Sequence, residues 1–529
     1  MSQELDFLSK QVALGRGSRR DFLGRAAALG LSATAANLML DSAAHAAGPV
    51  RGGTMRVGST GGAATDSLDP ALAAAQVPYF INYSWGEVLV RTNPKGEAEG
   101  KLASEWSSSP DAKVWTFKIR KGVQFHNGKE MTPDDVVATL ERHSGKETKS
   151  GALGIMRGLD SIKRNGDTVV ISVKDANADL PFLLSDYHLM IQPNGGKDAP
   201  TAAIGTGPYK KSVFEPGVRY VGTRFANYWA PDVRGFADEL EILALNDNTA
   251  RMAALQSGRV DMVNRVDPKV VELLKRAPGV KVVNASGKAF YCFLAFCDTA
   301  PFNNNDLRTA LKYALNRPEM VEKILRGFGS VGNDQPINAT YPMFSTDIEQ
   351  RPFDTDKAAF YYKKSGHSGS LLLRTAEVAF PGAVDAAQLF QASAAKAGIK
   401  IDVKREPNDG YWSEVWNKQP FSTAYWGGRS TQDQMYSTEF ISSADWNDTR
   451  FKVPKFDQMV VAARGELDQA KRKALYRDIA VMVKDEGGAF IPMFNDTVEG
   501  IGPKVGGWIK TPVGELMSGC GPSECWVIH

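Results

Sequence analysis

Two spacings of apolar residues, one of period two and one near 3.6, alternate along this chain. Trp115-Thr116-Phe117-Lys118-Ile119-Arg120 sets a large apolar side chain at every second position, the pattern of a half-buried strand. Lys121-Gly122 turns it, 123–126 resumes the alternation, and Asn127-Gly128 supplies another tight turn. Thr132-Pro133-Asp134-Asp135 then opens a helix to about His143: Thr132 suits the N-cap, Pro133 the first turn and Asp135 the reciprocal capping position. Strands are expected at 53–58, 161–164 and 168–174, and Gly205-Thr206-Gly207-Pro208-Tyr209 is a turn feeding another.

Further along, 248–258 and 267–276 read as helices with a strand at 260–263 between them. From Asn305 a helix aligns Leu307, Ala310, Leu311, Ala314 and Leu315 and stops before Pro318. A strand at 371–374, a helix over 383–396 closed by Gly398 and a strand at 399–404 favour a parallel sheet. A last long helix, 468–486, aligns Leu475, Ile479, Met482 and Val483. The expected class is α/β with interleaved domains.

The N-terminus carries a different signal. Ser18-Arg19-Arg20-Asp21-Phe22-Leu23 is a twin-arginine export signature. A mild, Ala- and Gly-rich apolar run over 26–40 and the small residues Ala44-His45-Ala46 complete a leader over 1–46. No Cys follows that run, so no lipid anchor is expected, and the mature chain should be soluble and periplasmic. A chain of 529 residues is too long for one core. It holds 63 Lys and Arg against 60 Asp and Glu; without the leader's five basic and four acidic residues the balance is +2. Nothing in that charge points to nucleic acid or a membrane surface.

Cys292 and Cys297 lie in one apolar stretch; on an extended strand they are about 16 Å apart and cannot pair with each other. Cys520 and Cys525 flank a turn, leaving a local disulfide or two free thiols. Neither pair has metal-site spacing. An exported hydrolase is the rival class, yet His-Glu-x-x-His, Gly-x-Ser-x-Gly and a phosphate loop are all missing from the sequence. Ser393-Ala394-Ala395-Lys396 reads as a helix C-terminus rather than a nucleophile motif.

The ordered motifs resemble the family 5 extracellular solute-binding proteins, the peptide and nickel receptors of ABC importers. The carriers are Leu68-Asp69-Pro70, the run from Trp115 through His126 to Gly128, Thr132-Pro133-Asp134-Asp135-Val136, Gly205–Tyr209 and Pro301-Phe302 through Asn316-Arg317. The resemblance implies the two-lobed type II periplasmic binding protein fold of the larger class. Lobe I would span 47–287 with an inserted subdomain at about 87–195, lobe II 288–488, and 489–529 would return to lobe I. It implies a monomeric receptor that closes over a small molecule and docks on an inner-membrane permease, with no cofactor and no catalytic or metal residues. A metal chelate is the alternative ligand, and His126 is read as structural.

In such receptors a second-lobe loop after an aromatic-ended strand reaches the cleft and often carries an Asp that meets a peptide's amino group. Here Trp426 matches, but Arg429 stands at the acidic position. A guanidinium favours a carboxylate or another anion through a two-pronged hydrogen bond. Asp433, four residues on, is the expected partner for a cationic end of the same ligand. Trp412 is a further candidate from lobe II, with Trp416 assigned to the core. Asp66, Tyr83 and Trp85 are the lobe I candidates, by their place in similar proteins.

Overall fold

Helix starts read from the sequence carry their caps in the computed structural model. It describes residues 2–13, 18–32, 35–36, 39–40, 48–145, 147–407, 411–444, 446–512 and 514–528. Thr132 precedes the helix Pro133–Ser144, its N–H donating to the Asp135 carboxylate at 2.9 Å. Asn304 caps Asn305–Tyr313, and Asp468 caps Gln469–Glu486. Pro318 falls in the first turn of the next helix, Arg317–Lys323, where its missing N–H costs nothing.

Two large sheets organise the chain. The first has seven strands in the order Lys281–Ala285, Thr497–Ile501, Met262–Val263, Thr54–Ser59, Glu239–Ala244, Arg219–Arg224 and Tyr209–Glu215. The second has six: Gly329–Val331, Ala489–Asn495, Phe290–Ala295, Phe421–Trp426, Leu371–Thr375 and Ile401–Arg405. Within it Leu371–Thr375 and Ile401–Arg405 pair in parallel, joined through the helix Ala383–Ala395. This is the parallel strand–helix–strand unit that the sequence pattern calls for. A four-stranded antiparallel sheet, with Val114–Ile119 and Thr168–Val173 at its centre, owns a separate core in which Trp115, Phe117, Val169 and Ile171 are buried.

The chain crosses between the large sheets twice, at 286–289 and at 496. A Cβ on Gly287 would sit 2.2 Å from the Asn495 carbonyl oxygen, so the two crossings lie against each other. The return to the first sheet therefore comes later than residue 489. Ala489–Asn495 pairs with Phe290–Ala295 in the second sheet, and Thr497–Ile501 is the strand that joins the first.

One further expectation departs from the structure, and two others are left open. Residues 123–126 form a local loop closed by Phe125 N to Lys129 O and Met131 N to Val123 O, with a single bridge in place of a strand. Cys520 and Cys525 are both free and buried. At the N-terminus, Ser2–Ala13 and Arg19–Ala28 are helical and share a small core of Leu5, Phe22, Ala26, Ala36 and Leu40. The expected cleavage site, Ala44-His45-Ala46, lies outside the described residues.

Candidate ligand cleft

A cavity of about 1060 Å³ is lined by loops and helices that flank the two large sheets and by residues of the four-stranded one. On one side it is bounded by the crossings, which contribute Gly287, Lys288 and Ala289. Away from the crossings the two halves touch. Ala178 N donates to Arg464 O at 2.7 Å, and the Asp179 carboxylate forms an ion pair with Arg472 at 2.8 Å. Both members of that ion pair are buried.

The second-lobe wall begins where Phe421–Trp426 ends. The loop after it must pass close to the crossing: a Cβ on Gly428 would lie 2.3 Å from Lys288 Cβ. Side-chain-free backbone there lets Lys288 reach under the loop. Its ammonium donates to Arg429 O at 3.2 Å and Ser430 O at 3.3 Å, and sits 4.4 Å from the Tyr341 ring centroid. Burial pulls the Lys288 pKa down to about 8. Arg429 lines the cavity and donates to Gly427 O at 3.0 Å, with its own N–H bonded to the Tyr341 hydroxyl at 3.0 Å. Burial also lowers the Arg429 pKa, against the opposing pull of Tyr341 and Glu439. Neither cation has a carboxylate within ion-pair distance among the described residues.

Behind the loop lies a rigid aromatic layer. Trp416 Nε1 and Trp426 Nε1 donate to the same Asp448 oxygen, at 2.8 and 3.0 Å. Burial raises the Asp448 pKa to about 7. Trp426 is thus a support of the wall, 4% exposed, and the indole that lines the cavity is Trp446. Asp433 lines the cavity but accepts from Arg464 at 2.9 Å and from Ser437 at 3.2 Å, so its charge is already matched.

The first-lobe wall is built otherwise. Tyr79 packs edge-on against Tyr83 and Tyr187, with centroids 5.1 and 5.0 Å away. The Tyr83 hydroxyl donates to Ser185 O at 3.1 Å, and all three rings line the cavity. Arg265 pairs with Glu515 at 2.6 Å, and Asn264 donates to the other Glu515 oxygen at 2.8 Å. Arg91 pairs with Glu524.

Three candidates lie away from the cleft. Trp85 is fully buried because Gly205 and Gly207 press onto it, leaving no room for side chains there. Asp66 closes a local turn by accepting from Ala63 N at 2.9 Å. Trp412 packs on Tyr411, Trp416 and Tyr425 without lining the cavity. Conversely, Lys288, Trp446, Tyr79 and Tyr187 are cavity residues that sequence reasoning missed. The Ser286-Gly287-Lys288 break ahead of an apolar strand was the available signal for Lys288. His126, buried with Nε2 at 2.8 Å from Gly207 O, is structural, as is Ser393, whose hydroxyl donates to Ala314 O at 2.7 Å.

Residues 97–448 match the bacterial extracellular solute-binding proteins, family 5 Middle. The chain belongs to this family. Heme-binding protein A of Haemophilus influenzae is 25% identical over 465 residues, covering 79% of this chain and 83% of that protein. The dipeptide-binding protein of Escherichia coli is 23% identical over 456 residues, covering 78% and 84%. The periplasmic binding protein DppA from Helicobacter pylori, solved in complex with the peptide STSA, superposes with a TM-score of 0.74 at 22% identity. That superposition covers 91% of this chain and 99% of DppA. The chain thus shares the two-lobed fold of its family. Among the described residues no helix is long and apolar enough to cross a membrane.

Proposed function

We propose that this chain is the periplasmic substrate-binding component of an ABC importer. It captures a peptide or amino-acid-derived molecule bearing an anionic group and delivers it to a membrane permease. The observation that carries the ligand class is the pair of cations, Lys288 and Arg429, that line the cavity bonded only to backbone carbonyls. Partly buried charge without a carboxylate in ion-pair contact is unfavourable, and a ligand carboxylate or phosphate relieves it. The dipeptide-binding relative and the peptide-bound neighbour support a peptide-like ligand. With Arg429 at the expected acidic position and Asp433 held by Arg464, a free peptide amine finds no open carboxylate on this loop.

Calorimetry with the small molecule retained through purification from the native host tests this reading. Arg429→Ala should weaken binding by about 2–5 kcal/mol, and Arg429→Lys should recover only part, since ammonium cannot reproduce a two-pronged contact. Wild-type affinity in Arg429→Ala would overturn it. The twin-arginine route belongs to the same proposal. Replacing Arg19 and Arg20 with Lys should hold the precursor in the cytoplasm, and normal periplasmic levels of that variant would refute the route.

A further inference from the structure

Trp446 lines the cavity yet remains 52% exposed. An indole that is both half-exposed and part of a cavity wall offers a broad apolar face whose burial by a bound molecule is favourable. Its backing is fixed. The Trp446 ring centroid is 6.0 Å from Trp426 and 6.3 Å from Trp416, the two indoles locked by the buried Asp448 carboxyl. Trp426 also carries the Arg429 guanidinium, 5.7 Å from its ring centroid. The half-exposed ring and the unpaired cation therefore flank one indole, within the span of a single small molecule. From the other lobe, Tyr79, Tyr83 and Tyr187 line the same cavity.

The carboxylates lining it do not favour an amine. Asp433 is held by Arg464, and Glu515 by Arg265 and Asn264. Asp186 accepts from His188 N at 2.9 Å and pairs with its ring, and Asp175 is exposed and screened by water. We propose that the cleft selects an acidic, amine-blocked amino-acid derivative carrying a planar aromatic ring, with the ring seated on Trp446 and the acid on Lys288 and Arg429. This rests on the anionic-ligand reading above and adds to it the ring and the blocked amine.

Calorimetry on the purified chain with three probes tests it: N-succinyl-phenylalanine, N-succinyl-alanine and phenylalanine amide. The first two share their carboxylates and differ by a phenyl ring; the third keeps the ring without the acid. N-succinyl-phenylalanine should bind at least about tenfold tighter than N-succinyl-alanine, from the buried ring area and ring–ring contact. Trp446→Ala should erase most of that ratio, and Trp446→Phe should keep most of it. Arg429→Ala should weaken both acids alike and leave the ratio intact. Equal affinity for the two acids, or a ratio unchanged in Trp446→Ala, overturns the ring subsite while leaving the anionic reading standing. Phenylalanine amide binding as well as its succinyl counterpart, or no binding by any probe, overturns both.

Discussion

The two walls of the cleft handle charge in opposite ways. On the first lobe, Arg265 is answered by Glu515 and Arg91 by Glu524, and Tyr79, Tyr83 and Tyr187 supply an aromatic cluster. On the second lobe, Lys288 and Arg429 are held only by carbonyl oxygens. The first wall offers shape and the second offers charge. The proposed anionic ligand would then set its acidic end against the second lobe, beside the crossings. The difference also shows why the loop after Trp426 is built as it is. Gly428 lets the loop rest on Lys288, and Lys288 in turn fixes the carbonyls from which Arg429 is presented.

The comparison holds only while the walls face each other, and the strongest perturbation parts them. Asp179→Ala leaves Arg472 buried without its partner, a situation worth about 3–5 kcal/mol. Because the pair joins the lobes, that cost should open them, raising the radius of gyration in solution scattering and lowering ligand affinity. An unchanged scattering profile would show that the pair does not hold the walls together.

A smaller change strikes the second wall alone. Gly428→Ala forces its new Cβ onto Lys288 Cβ, and the loop must shift. Overpacking of this kind costs about 1–3 kcal/mol. Affinity should fall by that order in calorimetry while the tyrosine wall stays unaltered. Full affinity in Gly428→Ala would mean that the loop position does not set the site.

The pH dependence separates the walls without mutation. Lys288 has its folded-state pKa lowered from 10.5 to about 8 by burial. Between those values the unfolded chain binds the extra proton, so this group makes the ligand-free protein more stable as pH rises from about 8 towards 10.5. Anion binding needs the ammonium and should weaken over the same range. Melting curves should therefore show the ligand-induced rise in Tm shrinking above pH 8, while the ligand-free Tm gains the Lys288 contribution. A ligand-induced rise that stays constant to pH 10 would remove Lys288 from the anion site. The smallest effect is expected at Asp66, which serves a local turn. Asp66→Asn should change ligand affinity by less than about 0.5 kcal/mol.

The sequence carried the frame well, because caps and periodicity are local. Thr132 with Asp135 and the strand–helix–strand run around residues 371–405 needed only near neighbours to be read. Its account of the cleft was partial, because line-up across lobes is not local. Arg429 and Tyr83 line the cavity, but Trp85 was drawn into the core by two glycines some 120 positions away, at 205 and 207. Asp433 reads as a free acid until Arg464 is brought beside it from another helix. Lys288 and Trp446 sit in no distinctive pattern, and the tertiary approach of the loop and the Asp448-bound indoles gives them their place.

The central claim is that the second-lobe wall recognises an anion. The most direct measurement is mass spectrometry of the small molecule released on denaturing protein purified from its native host. The expected compound has at least one carboxylate or phosphate, binds back to the emptied protein and loses affinity with Arg429→Ala. A released compound that is neutral or purely cationic, and that rebinds equally well to wild type and Arg429→Ala, would contradict it.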